Sequence, residues 1–269
     1  MDTDFQLVPD PSVPGAYLVR LGGIDQSWVS AAHPERLEFD YMQLIGYHID
    51  AHAAPEERLR VVHIGGAGMS LARYIAVTRP TSAQIVLEPD AALTQAVRAT
   101  IPLPRNSGIK VRAVGGYEGI AAMPDDYADM VILDAFAHSQ IPAELVSVEF
   151  FQLVRRVLHP SGTLVANLID TQELRWVRRV LAGLSYVFSD VCLQAETTIL
   201  KGRRFGNMIA GASDVELPLG ELNRRARSAP FSHTLLWGET LKHFIAGAHP
   251  FTAADTEPSP LHNNWPTWL

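Results

Sequence analysis

In VVHIGGAGMSLARYIAVTRPTSAQIVLEP, running from Val61 to Pro89, a short β-branched run, a glycine loop, a helical repeat and a second apolar run follow one another. Val61 to Ile64 has the composition of a buried strand, and Gly65, Gly66 and Gly68 make a tight loop. Met69 to Val77 carries apolar residues at helical spacing. Gln84 to Leu87 is a second strand, and Glu88 stands at its carboxyl end. In a βαβ unit of this kind the loop amides and the helix N-terminus face a ligand, and an acid about 20 residues beyond the loop can hydrogen-bond a ribose diol. The stretch therefore predicts a nucleoside site. Taken alone, a glycine loop also serves as a plain tight turn.

Outward from this unit the same alternation continues. Asp90 to Thr100 fits a helix closed by Pro102 and Pro104, Val111 to Val114 a third strand, and Gly115 and Gly116 follow it. Ala128 to Asp134, ADMVILD, is a continuous apolar run ending in a carboxylate, as expected for a parallel strand covered on both faces. Ligands of open α/β sheets bind outside the carboxyl ends of the strands, which brings Asp134 into the crevice of the glycine loop and Glu88. A strand-end aspartate can also act as the cap of a following helix. Ser147 to Leu158 reads as a helix closed by His159-Pro160-Ser161-Gly162, Thr163 to Leu168 as a fifth strand, and Glu173 to Leu184 as a helix. Ser189 to Leu193 and Asn207 to Ala212 form an antiparallel pair at the end. Strands alternating with helices predict an α/β fold with a mostly parallel, doubly wound sheet.

Upstream, Ala16 to Leu21 and Ser27 to Ser30 flank Gly22 and Gly23 and predict a β-hairpin within residues 1–32. A helix through Leu37, Tyr41, Leu44, Ile45 and His48 opens the main domain, residues 33–214. Beyond Asp214 the pattern weakens into a helical and irregular extension, residues 215–269, with short helices at Leu219 to Ala226 and Thr240 to Ala246. Trp265 and Trp268 in its tail are expected to dock on the body.

The chain has 269 residues, 47% of them hydrophobic, enough for a full core. No apolar run approaches the roughly 20 residues that cross a bilayer, and MDTDFQLVPDPSVPG lacks the basic start and apolar centre of a leader. No membrane association is expected. The single cysteine, Cys192, lies between apolar neighbours and reads as a strand thiol; a cytoplasmic location is the expectation. The net charge of −7 argues against nucleic acid as a partner. Arg203-Arg204 and Arg224-Arg225 are local exceptions that read as solvated surface.

Five segments in order resemble one family, the spermidine and spermine synthases, or polyamine aminopropyltransferases. LGGIDQ (Leu21 to Gln26) is similar to the family's LDGxxQ, and LEFDYMQ (Leu37 to Gln43) to its DEFxYHE or DEFxYQE. HIGGAG (His63 to Gly68) resembles IGGGDG, LEPD (Leu87 to Asp90) resembles xEID, and DMVILDAFA (Asp129 to Ala137) resembles DVIIxDxxD. The resemblance covers about Leu21 to Ala212 and implies a Rossmann-like methyltransferase fold, usually in a homodimer. It also implies aminopropyl transfer from decarboxylated S-adenosylmethionine to putrescine or another amine acceptor, without a metal. By position, Gln26 and Tyr41 lie beside the substrates and the glycine loop holds the methionine-derived part of the donor. Glu88 binds the ribose hydroxyls, and Asp134 helps deprotonate the attacking amine.

Several acids of the family pattern are absent. Ala67 stands where the loop carries an aspartate, Gly115-Gly116 where a Gly-Asp pair meets the adenine, Ala137 at the second aspartate of DxxD, and Met42-Gln43 after the tyrosine. An ammonium taken into a cleft needs paired anions, so weak or absent putrescine activity is expected. Glu118, Asp125 and Asp126 are candidate replacements, and His138 is either a base or a surface residue. Two other functions stay open: a methyltransferase using intact S-adenosylmethionine, whose carboxylate Ala67 would not repel, and a noncatalytic dimerising paralogue.

Overall fold

The computed structural model describes residues 5–228 and 233–261; Trp265 and Trp268 lie outside the described residues. The chain opens with β1 (Phe5–Pro9), β2 (Ala16–Leu21) and β3 (Ile24–Ser30), followed by α1 (Asp40–His52). The central unit is β4 (Arg60–Ile64), α2 (Ser70–Thr78), β5 (Ala83–Leu87), α3 (Ala91–Thr100) and β6 (Ile109–Arg112). Then come α4 (Gly116–Ala121), β7 (Ala128–Leu133), α5 (Val148–Val157), β8 (Leu158–Ile169), α6 (Arg175–Val187) and β9 (Asp190–Glu196). The last elements are α7 (Thr197–Leu200), β10 (Asn207–Ser213), α8 (Leu219–Ser228), β11 (His233–Trp237) and α9 (Gly238–Ile245). Among the described residues no helix is long and apolar enough to cross a membrane.

The main sheet has the order β11-β9-β10-β8-β7-β4-β5-β6. The five strands from β6 to β8 run parallel, and β10, β9 and β11 continue the sheet antiparallel. The α/β class and its mostly parallel sheet agree with the alternation in the sequence. β7 shows why its run is apolar throughout: Met130 and Ile132 enter one core layer, while Val131 and Leu133 enter the other. α5 supplies much of that second layer through the fully buried Phe150, Phe151, Val154 and Val157. Ser147 caps this helix by accepting a hydrogen bond from the Phe150 amide at 3.2 Å.

Several boundaries differ from the expected ones. The N-terminal sheet has three antiparallel strands, because β1 pairs with β2 ahead of the predicted hairpin. The third parallel strand ends at Arg112, its last partner on β5, and Val114 turns back onto the Arg112 carbonyl. The glycine pair after the third strand opens a helix, α4, which starts on Gly116. His159 to Gly162, read as a helix stop, forms an irregularity within β8, whose pairing jumps from Leu158 to Thr163. β11, from the C-terminal segment, adds an eighth strand beside β9. Cys192 is a buried strand thiol, as predicted, and burial pushes its pKa up to about 12.

The small sheet is fastened over the glycine loop rather than set apart from it. Ser70, the first residue of α2, donates to the Trp28 carbonyl at 2.7 Å, and its hydroxyl lies 2.8 Å from that of Ser27. All three groups are buried. A side chain at Gly68 would collide with Ser27 and Val29, whose atoms stand 2.5 Å from the position of its Cβ. Removing the shared hydroxyl in Ser70→Ala leaves buried polar groups underpaired and is expected to lower stability by about 1–3 kcal/mol, measured by urea titration. An unchanged transition midpoint would show that apolar packing alone holds the small sheet.

Candidate functional site

Strand order reverses between β4 and β7, since β4 leads through α2 to β5 on one side while β7 lies on the other. Such a reversal leaves a crevice at the carboxyl ends of the strands. Here it holds a cavity of about 720 Å³, within the usual size range for small-molecule sites. Gly65, Gly66, Gly68, Glu88, Asp134, Gln26 and Tyr41 all line it. The structure thus brings together every site residue read from the sequence, including two contributed by the small sheet and α1.

The glycine loop is tightly fixed. Gly65 has φ +82°, and a Cβ there would come within 2.3 Å of the Asp134 carbonyl oxygen. Its amide donates to the Leu87 carbonyl at 2.9 Å, and the Asp134 amide donates to the Ile64 carbonyl at 2.9 Å. A Cβ on Gly66 would meet Val86 at 2.5 Å. The loop therefore touches both neighbouring strands and passes close under the site.

Glu88 follows β5 and accepts a hydrogen bond from the Asp90 amide at 3.0 Å. Burial raises its pKa, partly offset by the amides of Asp90 and Gly66. Asp90 itself caps α3, accepting from the Leu93 amide at 2.9 Å. Asp134, at the end of β7, accepts from the Asn167 side-chain amide at 2.9 Å. No helix starts directly after Asp134, so it does not serve as a helix cap. Burial lifts its pKa to about 6, against the opposing pull of hydrogen bonds from Asn167 and Tyr41. The Tyr41 hydroxyl also lies 3.2 Å from the Gln26 carbonyl. Burial, and then the nearby Asp134 charge, raise the Tyr41 pKa well above the usual phenol range, so it stays a hydrogen-bond donor.

Of the remaining candidates, His138 stands exposed at the cavity rim with φ +49°. Ala67 and Gly115-Gly116 line the cavity as neutral positions, and Gly116 admits no side chain because its Cβ would lie 2.3 Å from Ile64. Asp125 and Asp126 are far from the site, in a groove beside Arg155 and Arg156, and Asp125 pairs with Arg156 at 2.5 Å. Glu118 is exposed and does not line the cavity. The acids present in the lining are Glu88, Asp90, Asp134 and Glu144, and among the described residues no lysine or arginine joins them. The arginine pairs read as surface are ion-paired in part: Arg204 with Glu196, Arg224 with Glu221, and Arg225 with Glu221 and Asp50.

Sequence reasoning missed Asn167 and a second, smaller cavity of about 110 Å³ that shares Gln26, Tyr41 and Phe136 with the first. The signal was available: TLVANLI is an apolar strand with one amide in it, and an amide in a buried strand requires a partner.

No protein-family model matches the chain. A polyamine aminopropyltransferase of Vibrio vulnificus (strain CMCP6) is 27% identical over 142 residues, 52% of this chain and 46% of that protein. The match thus spans about half the length of that relative. The crystal structure of a probable spermidine synthase from Corynebacterium glutamicum superposes with a TM-score of 0.85 at 28% identity, covering 94% of this chain and 95% of the other. Human methyltransferase-like protein 13, solved in complex with SAH, shares the fold at 20% identity, with a TM-score of 0.58 over 80% of this chain and 96% of that one. The ordered motifs, the shared sheet and these relatives support a spermidine synthase-like member of the polyamine aminopropyltransferase family.

Proposed function

We propose that the chain is a transferase that binds an S-adenosylmethionine-type nucleoside in the larger cavity and passes the donor's alkyl group to an amine. The convergence of the glycine loop, Glu88 and Asp134 on one cavity carries this reading. Glu88 takes the ribose hydroxyls, and the loop from Gly65 to Gly68 lies against the methionine-derived chain. In the reaction, the amine nitrogen attacks the carbon beside the sulfonium, the carbon–sulfur electron pair passes to sulfur, and a neutral thioether leaves. Asp134 takes the proton. The protein's contribution is to align nucleophile and carbon and to hold the base ready.

The lining favours the decarboxylated donor over intact S-adenosylmethionine. Ala67 repels neither, but a donor carboxylate would find no lysine or arginine there, among acids at Glu88, Asp90, Asp134 and Glu144. Calorimetric titration with both nucleosides separates the two, and tighter binding of the intact form selects the methyltransferase reading. Robust thermal stabilisation by either counts against a noncatalytic paralogue.

Glu88→Gln is expected to weaken nucleoside binding by about tenfold or more, the value of a hydrogen bond to a charged group. An affinity equal to the parent's would remove Glu88 from the site. With putrescine as acceptor, turnover is expected to be weak. Each lost anion opposite a buried ammonium costs about 2 to 5 kcal/mol, and Ala67 and Ala137 are both neutral. Spermidine formation at ordinary enzymatic rates overturns that expectation.

Asp134 gives a linked test of stability and activity. Its pKa is raised from 3.8 to about 6, so ionisation in the folded state costs stability on the order of 3 kcal/mol at neutral pH. This penalty is absent below pH 3.8, grows as pH rises, and is complete above about 6. Asp134→Asn is therefore expected to abolish transfer yet raise the melting temperature at pH 8, with the gain fading toward pH 4. A variant that is less stable at pH 8 contradicts the assignment of a strained, ionised base. Parent turnover should fall as pH drops through about 6.

A further inference from the structure

From Ala91 to Tyr117 the chain carries Arg98, Arg105, Lys110 and Arg112 and no aspartate or glutamate, although its net charge is −7. The four are too widely spaced to read as a basic run, but the fold gathers them at one edge. β6, which holds Lys110 and Arg112, is the last strand of the main sheet; Arg98 lies on α3, and Arg105 in the segment between the two elements. All four are exposed, and among the described residues none has a side-chain hydrogen bond or ion pair. On α5 and α6, by contrast, Arg155, Arg156 and Arg179 each meet a carboxylate, from Asp214, Asp125 and Asp255.

The edge that these cations surround is open. β6 pairs only with β5. The carbonyls of Gly108 and Arg112 accept from the Gln84 and Glu88 amides at 2.9 and 3.1 Å. Backbone direction alternates along a strand, so the amide and carbonyl of Val111 point away from β5, where a further strand would pair with them. Side chains alternate as well. Ile109 and Val111 pack toward Leu93 and Val97 of α3, which puts Lys110 and Arg112 on the other face of the sheet. Between α3 and β6 runs a groove of about 280 Å³ whose lining includes Thr94, Gln95, Arg98, Val111 and Ala113. Cations thus stand on both faces of one unpaired strand.

Charge decides what can pair there. Two copies of β6 set antiparallel about Val111 would bring Lys110 of one against Arg112 of the other, and like charges directly opposite destabilise a strand pair. The cations therefore oppose self-pairing at this edge. An extended segment with acids at alternate positions meets the reverse condition. The outward backbone groups favour such a segment over a nucleic acid, whose phosphates would use the cations and leave the Val111 carbonyl without a donor.

We propose that the β6 edge is a docking site for an acidic, extended segment of a partner protein, which adds to the eight-stranded sheet as a further strand. Lys110 and Arg112 read acids on one face of that segment, and Arg98 reads an acid over the groove on the other. The edge is only four residues long, so the contact is weak and reversible. None of the four cations lines the larger cavity, and the inference stands independently of what that cavity binds.

The test is fluorescence anisotropy on the full chain at low ionic strength. The labelled probes are the peptides EVEVEV, QVQVQV, EVEPEV and KVKVKV and a single-stranded thymidine oligonucleotide. EVEVEV should bind with a submillimolar Kd, and the uncharged QVQVQV should bind about tenfold more weakly or worse. EVEPEV, which keeps the acids and loses a backbone donor, should be weakened by a similar factor. Combining Lys110→Glu with Arg112→Glu should weaken EVEVEV about tenfold and create affinity for KVKVKV, with an unchanged melting temperature reporting an intact fold. Four results overturn the inference: no binding of EVEVEV at millimolar concentration, equal binding of EVEPEV, equal binding by the double variant, or tighter binding of the oligonucleotide than of the peptide.

Discussion

The site depends on a steric constraint at the glycine loop. The backbone from Gly65 to Gly68 is pressed against three partners at once: the Asp134 carbonyl beside Gly65, Val86 beside Gly66, and Ser27 and Val29 beside Gly68. None of these approaches admits a Cβ without displacement, and Gly65 additionally holds a positive φ of +82°. Because the loop touches β5, β7 and β3 together, it fixes the relative positions of Glu88, Asp134 and Gln26. A looser loop would leave the same residues present with their distances unset.

This packing explains the electrostatic state of Asp134. Asp134 lies where the loop, α1 and β8 meet, and that enclosure raises its pKa to about 6 in spite of hydrogen bonds from Asn167 and Tyr41. A carboxylate with the ordinary pKa of 3.8 would be a poor proton acceptor. Burial brings it nearer to the operating range while leaving it ionised at neutral pH. The same enclosure keeps Tyr41 protonated, so one residue can donate while its neighbour accepts. Burial thus weakens the fold locally and improves the chemistry proposed for that position.

Much of this was legible in the sequence because it rests on local rules. Short β-branched and continuous apolar runs marked β4, β5 and β7, and strand-end acids marked Glu88 and Asp134. What was not legible depends on long-range pairing. β1 is recognisable only by its register on β2, and β11 only by its place beside β9. The glycines at the start of α4 are poor helix formers, yet Gly116 is required by its contact with Ile64. His159 to Gly162 contains the residues of a helix stop, and the strand absorbs them as an irregularity. Candidate acids chosen by nearness in sequence failed for a related reason. Asp125 and Asp126 precede β7 and so lie at its amino end, a full strand length from the site.

The same geometry shows where replacement acids can come from. Residues within a few positions of a motif are carried along its strand and leave the crevice, whereas residues on an element that crosses the crevice stay beside it. α1 is such an element: Tyr41 reaches Asp134 and the small sheet, and Asp40 next to it reaches the second cavity. The acid expected after the tyrosine is Gln43 here, turned back onto the Leu37 carbonyl at 3.0 Å. The neutral positions Ala67, Gly115, Gly116 and Ala137 thus share the cavity with acids brought in from several elements, Glu88, Asp90, Asp134 and Glu144.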